Sequence, residues 1–410
     1  MATPCEGAPS DFLARARGWS ESSTTVFSRR SACPRDENAI FEAKRAILAG
    51  GRSLLDLTPS NPTAVGLEPF AELSELLAPR GVEHYRPEPF GLLTAREALA
   101  ARWSRAGVTV SPQQIVLTAS TSEAYGILFK LLCDPDDEVL IPEPSYPLFE
   151  HLARLEHVQL VPYRHRYDGA WYLDVDSVRA RRTPRTRAIL LVSPNNPTGA
   201  VVSAGELSSL AELGLPLVSD EVFGRYLFGD AKVRFRSAIF ASEALVFVLD
   251  GLSKSMGLPQ CKLGWTTVGG PANLVDEALH RLEIICDSYL SVATPVQLAL
   301  PALLQHESAR HAVIQARLEA NRAHLFSSTR GTALTPLSLD GGWSAVLRVP
   351  AVRSETDWVL ELMETHGVVV QPGWFFDFER EAFLVVSLLT EPEIFRRGIA
   401  SILALASAAA

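Results

Sequence analysis

From residue 115 to residue 269 the chain repeats one pattern: a short apolar run, then a longer stretch in which apolar residues recur every three or four positions. The runs IVLTA (115–119), EVLIP (138–142), VQLVPY (158–163), AILLVS (188–193), PLVSDEV (216–222), LVFVLD (245–250) and GWTTVG (264–269) have the length of strands. Several are apolar at successive positions, so both of their faces need cover, as in a mostly parallel sheet between layers of helices. SEAYGILFKLL and AGELSSLAELG fall between them with helical spacing, which makes repeated strand–helix units of an α/β fold.

Ahead of this region, ENAIFEAKRAILAG reads as a helix that stops at glycine, and LTPSNPTAVGLEP reads as a Pro-rich loop. GLLTAREALAARWSRAG (91–107) is a second helix with a glycine stop. Helical spacing resumes near 271 and continues to about 326. Over the last 80 or so residues the pattern changes. GGWSAVLRV and AFLVVSLL read as strands there, with helices at 354–366 and 391–405. The expected organisation is a flexible tail over 1–35 and a segment, 36–80, contributing to a small domain. A large domain over 81–326 and a small α+β domain over 327–410 follow.

A length of 410 residues suits this two-domain reading. An apolar fraction of 47% and a charged fraction of 21% describe an ordinary globular chain. The formal net charge of −9 speaks against a nucleic-acid partner. The five cysteines are scattered, form no CxxC pair and are odd in number, which fits a reducing cytoplasm and offers no metal set. No apolar run reaches the ~18 residues needed to span a bilayer. The N-terminal stretch lacks the apolar centre of a secretory signal, so a cytoplasmic protein without a membrane partner is expected.

In open α/β sheets ligands gather beyond the carboxyl ends of strands. Lys254, Asp220, Asn196 and Ser120 all lie just past such ends. Ser120, Thr121 and Ser122 stand between a strand and a helix, where Ser120 and Glu123 fit a capping box. Hydroxyls and free backbone N–H groups at such a terminus can hold a phosphate, although a capped helix needs no ligand. Asp220 could pair with a protonated ring nitrogen, or simply form a turn. Tyr146, in PEPSYPLF, could cover an aromatic ring or pack into the core. Lys254, in GLSKSMGLPQCK, is the kind of residue most often found solvated on a surface. At this position its amine could instead form a Schiff base with a carbonyl compound and afterwards move protons. Pyridoxal 5′-phosphate supplies carbonyl, ring and phosphate in one molecule.

The segments VSPNNPTG, VSDEVF and GLSKSMGLPQCKLGW occur in a specific order and spacing. YRPEPFG, LTASTSEAY and PEPSYPLFE precede them, and VVVQPGWFF follows. From about residue 50 to 405 the chain thereby resembles the class I/II pyridoxal-phosphate aminotransferases, the aspartate aminotransferase-like or fold type I group. The resemblance implies a large domain with a mainly parallel seven-stranded sheet covered by helices, plus a small α+β domain. It implies that Lys254 binds the cofactor covalently and carries the proton shift, and that Asp220 pairs with the pyridine nitrogen. Asn196 would bond the ring oxygen and Tyr146 would stack on the ring. Ser120, Thr121, Ser122, Ser253 and Lys262 would surround the phosphate. Tyr85 would reach the cofactor of a neighbouring subunit, which implies a homodimer with shared sites. Ser60, Trp343 and Arg348 are the substrate-side candidates, and Trp374, Phe375 and Phe376 suggest a partly aromatic wall.

Four positions depart from the family pattern. Phe223 replaces a tyrosine that would donate to the ring oxygen, which is expected to raise the pKa of the lysine-bound cofactor. Gly251 stands where a phosphate-binding serine is usual, and Lys262 stands where an arginine fork is usual. Val385 occupies the place of the arginine that grips the substrate's α-carboxylate. Another cation could replace that arginine, with Arg348 one candidate. The donor could instead lack an α-carboxylate or carry it elsewhere. Or the matching position could lie a few residues away, although no arginine occurs between Glu381 and Glu391.

The reading is an aminotransferase moving an amino group from an amine or amino acid donor to an oxo acid or aldehyde. A lyase or decarboxylase using the same lysine is one alternative. A catalytically inert or regulatory cofactor-binding homologue is another.

Overall fold

The apolar runs become the strands of one large sheet. The computed structural model describes residues 26–31 and 38–409, so most of the expected N-terminal tail lies outside the described residues. Within that tail Arg29–Ser31 forms one 3₁₀ turn, and Arg30 Nη1 donates to the Leu155 carbonyl at 3.1 Å.

The strands in chain order are β1 (Leu55–Asp56), β2 (Ile115–Thr118), β3 (Glu138–Glu143), β4 (Gln159–Tyr167), β5 (Trp171–Leu173), β6 (Thr186–Val192) and β7 (Leu217–Asp220). They continue with β8 (Val246–Gly251), β9 (Gly264–Gly269), β10 (Thr335–Pro336), β11 (Ser344–Arg348), β12 (Val368–Val369), β13 (Gln371–Pro372) and β14 (Phe383–Ser387). Helices of seven or more residues are α1 (Ala39–Ala49), α2 (Leu93–Arg105), α3 (Thr121–Leu132), α4 (Leu148–Leu155), α5 (Val175–Arg181) and α6 (Ala204–Ala211). Then come α7 (Ala272–Asp287), α8 (Thr294–Leu303), α9 (Glu307–Ser328), α10 (Glu355–His366) and α11 (Pro392–Ala409).

The large sheet runs β2-β9-β8-β7-β6-β3-β4-β5. Strands β8, β7, β6, β3 and β4 are parallel, while β9 is antiparallel to both its neighbours. The expected seven strands are therefore joined by an eighth: β5 pairs antiparallel with β4 at the edge. Three residues are too short a run to show a periodic signal in the sequence. The continuous helical stretch expected over 271–326 is broken into α7, α8 and α9. Leu290 takes a left-handed φ of 46° in the first break, and Pro295 sits in the first turn of α8, where its missing N–H costs no hydrogen bond.

Successive residues of a buried strand serve opposite faces. Ile189 and Leu191 of β6 join a core with Leu99, Ile115, Trp265 and Leu300. Ala188, Leu190 and Val192 join the core on the other face with Leu128, Phe129, Phe247 and Leu282. Residues apolar at every position are thus required on both sides, as the pattern implied.

A smaller antiparallel sheet, β10-β11-β14-β13, packs with α10 and α11 over a third core containing Trp358, Leu362, Phe395 and Ile399. Leu57 and Ile47 from the N-terminal segment join it, and β1 pairs with β12. The cores divide the chain differently from the expected boundaries at two places. Leu73, expected with the small domain, belongs to the first core, and Ile314, Leu318 and Leu325 of α9 belong to the third. A helix as long as α9 reaches past one core into the next. No helix among the described residues is long and apolar enough to cross a membrane.

Candidate active site

β8 ends at Gly251 and the chain turns at once into a single helical turn, Leu252–Ser255. The half-buried Lys254 lies on that turn. Its Nζ donates to the Ser60 carbonyl at 3.5 Å and stands 5.1 Å from the centre of the Trp343 ring. Burial lowers its pKa to about 8, against the opposing pull of the Asp220 carboxylate. Behind the turn, Arg102 pairs with Asp250 at 2.9 Å and with Glu307 at 2.8 Å, which anchors the end of β8 to α2 and α9.

β7 delivers Asp220 at its last residue, the strand ending two residues earlier than the sequence pattern implied. The carboxylate is buried; Oδ1 accepts from Val222 N–H at 3.1 Å and Oδ2 accepts from the Tyr125 hydroxyl at 2.8 Å. Burial pushes its pKa up, and the two donors and the Lys254 charge pull it back. Burial also raises the Tyr125 phenol well above its ordinary value, so this hydroxyl remains a donor.

Asn196 follows β6, and its Oδ1 accepts from Ser344 Oγ at 3.3 Å, which leaves the amide N–H groups for another acceptor. Ser344 adjoins Trp343, so Asn196 and the wall facing Lys254 are held together. Phe223 packs on Trp343 with ring centres 5.3 Å apart. The family hydroxyl at this position is replaced by an apolar contact.

Ser120 caps α3, its Oγ accepting from Glu123 N–H at 3.2 Å. The reciprocal half of the expected capping box is not formed: Glu123 Oε2 accepts instead from Ala119 N–H at 2.6 Å and from Ser291 Oγ at 2.7 Å. Glycines line this terminus. A Cβ on Gly264 would come within 3.2 Å of Thr121 N and 3.1 Å of the Ser120 carbonyl carbon. Gly251 is directly opposite Gly264 in the β8–β9 pairing, and a Cβ there would meet Gly264 Cα at 3.1 Å. A serine at 251 would press on the antiparallel partner, which would have to give by a few tenths of an ångström. Thr121, Ser122 and Ser253 are half-buried around this region.

Three candidates stand apart. Lys262 is exposed, with a left-handed φ of 47°, two residues before Gly264. Tyr85 is 76% exposed, in the loop before α2. Arg348 is exposed at the far end of β11 from Ser344, about 13 Å along the strand at ~3.3 Å per residue, so it is not brought to Lys254. Tyr146 is 42% exposed, which sets aside the core-packing role weighed for it. Trp343 and Phe376 are buried, and Trp374 and Phe375 half-buried. Val385 is buried in β14 among Leu337, Val346 and Phe376, and β14 carries no arginine from Phe383 to Ser387.

Tyr125, Tyr226 and Ser344 escaped the sequence reading. Tyr125 had a signal, since it lies one turn beyond the Ser120–Ser122 cluster on the same helix. Tyr226 donates to the main-chain carbonyls of Lys254 and Ser255, a relation with no trace in spacing.

The chemistry of this set suits pyridoxal 5′-phosphate: an amine of lowered pKa, a buried carboxylate, an amide donor and a glycine-lined helix N-terminus. Comparison with known proteins agrees. The chain is 30% identical over 269 residues to glutamate-pyruvate aminotransferase AlaA of Escherichia coli (strain K12), a match covering 64% of this chain and 66% of that protein. It is 31% identical over 222 residues to S-alkyl-thiohydroximate lyase SUR1 of Arabidopsis thaliana, covering 52% of this chain and 48% of that one. The fold superposes on alanine aminotransferase from Pyrococcus furiosus with a TM-score of 0.84 and 24% identity, covering 92% of this chain and 99% of that one. Residues 68–401 match the family described as aminotransferase class I and II, and the chain belongs to that family.

Proposed function

We propose that the protein is a pyridoxal 5′-phosphate-dependent aminotransferase, moving an amino group from an amine or amino acid donor to an oxo acid or aldehyde. The observation that carries this reading is the Lys254 amine, its pKa lowered to about 8, sharing one site with the buried Asp220 carboxylate. Family membership supports both the activity and the cofactor.

When bound, the cofactor supplies an aldehyde that captures primary amines and a ring that accepts electrons from a bond at the amine-bearing carbon. Lys254 would hold that aldehyde carbon. Once free, its Nζ would be the group that takes up and returns the proton of the 1,3-shift, a role that a pKa lowered to about 8 suits. Asp220, fixed by Val222 N–H and the Tyr125 hydroxyl, would pair with the ring nitrogen and favour its protonated form. Asn196 would donate its amide to the ring oxygen. Ser120, Thr121, Ser122 and Ser253, with the N–H groups opening α3, would hold the phosphate, and the exposed Lys262 would have to turn toward them to add its charge. Tyr146 covers the ring. The exposure of Tyr85 is consistent with a hydroxyl that serves a second copy of the chain, and hence with a homodimer. A cytoplasmic location fits the scattered cysteines.

The test is reconstitution with pyridoxal 5′-phosphate, borohydride reduction and peptide mapping, followed by addition of amine donors. Covalent label on Lys254 and accumulation of pyridoxamine phosphate support the reading, and absence of label from Lys254 ends it. The lyase alternative draws support from the name of one relative. Release of ammonia, sulfide or carbon dioxide with the cofactor unchanged would favour it. Retention of both Lys254 and Asp220 weighs against an inert homologue.

A further inference from the structure

We infer that the substrates of this site carry an uncharged, largely apolar substituent and no carboxylate on the carbon that bears the amine or the carbonyl. The inference rests on the aminotransferase reading and names the substrate class of the same site.

Val385 is 1% exposed. It is paired with Val346 of β11 and Gln371 of β13, and it packs in a cluster with Phe376 and Leu337 that Trp171 and Phe375 flank. Two residues along the strand, on the same face, Ser387 Oγ donates to the Pro59 carbonyl at 2.6 Å. The next carbonyl, that of Ser60, is the one that meets Lys254 Nζ. Val385 thus lies two residues from the strand position tied to the Pro59–Ser60 segment that meets Lys254, and its buried side chain brings hydrocarbon and no charge to that part of β14. A carboxylate against this wall would lose its water without gaining a counter-charge.

Among the described residues, four arginines of the surrounding elements are engaged elsewhere or exposed away from Lys254. Arg317 donates to the carbonyls of Val65 and Leu389. Arg310 donates to those of Met256, Glu68 and Leu67. Arg164 pairs with Glu379, and Arg348 points to solvent at the far end of β11.

A cleft opens beside this wall. Ile40, Phe41, Val370, Trp374 and Phe375 form its apolar sides. Thr58, two residues before Ser60, and Gln371, opposite Val385, join the cleft to the segment that meets Lys254. Its one cation among the described residues, Lys44, is met by Asp56 at 3.1 Å, so the cleft is close to neutral. Its aromatic and aliphatic sides suit an apolar ring better than a charged group. The half-reaction balances without further reagents: a primary amine R–CH₂–NH₂ and the cofactor aldehyde give R–CHO and the cofactor amine. The reverse, with a second aldehyde, completes the cycle.

The probes are 2-phenylethylamine and L-phenylalanine, which differ only in the carboxylate. With cofactor-loaded protein, 2-phenylethylamine should form pyridoxamine phosphate with a kcat/KM at least tenfold higher than L-phenylalanine, and Val385→Arg should reverse the order. Equal or better turnover of L-phenylalanine by the unaltered protein overturns the inference. Calorimetric titration with 3-phenylpropionamide and 3-phenylpropionate gives a readout without turnover and does not depend on Val385→Arg folding. At least tenfold tighter binding of the amide is expected, and equal or tighter binding of the carboxylate overturns the inference. Failure of the cofactor to label Lys254 would instead sink the aminotransferase reading, while the titration still decides the character of the cleft.

Discussion

The hydroxyl of Tyr226 donates to the main-chain carbonyl of Lys254 at 2.8 Å and to that of Ser255 at 3.1 Å. Tyr226 is fully buried, and its ring lies 5.4 Å from that of Trp343, over whose face the Lys254 amine sits. One residue therefore braces both the backbone that carries the amine and the aromatic surface beneath it. Burial raises the Tyr226 phenol, so the donor stays protonated throughout the working range. Tyr226 is a positioning residue, acting through Lys254.

Replacement of Tyr226 by Phe keeps the ring packing and removes both hydrogen bonds. The single hydroxyl proton is shared between the two carbonyls, so a net loss of about 1 kcal/mol of stability follows. Covalent capture of pyridoxal 5′-phosphate should slow about tenfold, with little change in the amount finally bound. Thermal unfolding and stopped-flow absorbance check the two parts separately. Unchanged capture would confine Tyr226 to a role in packing.

The Tyr125–Asp220 bond makes a second prediction. The hydroxyl lowers the Asp220 pKa against the larger effect of burial. Tyr125→Phe removes that help, so the carboxylate is protonated more readily and activity should fall most at acid pH. The acid limb of the pH–rate profile should move upward, and Asp220→Asn should lose activity at every pH. A profile of unchanged shape would separate Tyr125 from the charge on Asp220.

Lys254 should react as a neutral amine above its pKa of about 8, where a surface lysine would need a pH above ~10. The rate of covalent labelling by pyridoxal 5′-phosphate, fixed with borohydride at each pH, should rise through about pH 8 and level off. A rate still climbing at pH 10 would mean that burial does not lower this amine.

Glu221, next to Asp220, is buried and its pKa is raised to about 7, chiefly by burial. A carboxyl with a raised folded-state pKa binds its proton more tightly in the folded chain. It contributes stability below its unfolded value, and that stability is lost as pH rises through about 7. Glu221→Gln keeps an oxygen for Ser219 Oγ and Ala238 N–H and does not titrate. The variant should match the parent near pH 4, below the unfolded value, and exceed it above pH 7, by up to about 3 kcal/mol. Denaturant melts across that range test it, and parallel curves would refute it.

The strand–helix alternation was legible because residues such as Ile189 and Leu190 must be apolar on both faces of a covered sheet. Lys254, Asp220, Asn196 and Ser120 were legible because each follows a strand whose end the pattern marks. Arg348 was misplaced by the same logic. Its strand was read correctly, but the sequence carries no record of which end of β11 meets Asn196. β5 was missed because three residues cannot display a period, and the breaks between α7, α8 and α9 because their linkers retain apolar residues.

Local order in the chain therefore settled which segments become strands and helices, and which polar residues stand at their ends, since those depend on side-chain periodicity over a few positions. Tertiary structure alone decided that Tyr125 reaches Asp220 across 95 residues, that Ser60 meets Lys254 across 194, and that Val385 faces hydrocarbon. Such contacts arise where separate elements pack, and a linear pattern does not encode the distance between them.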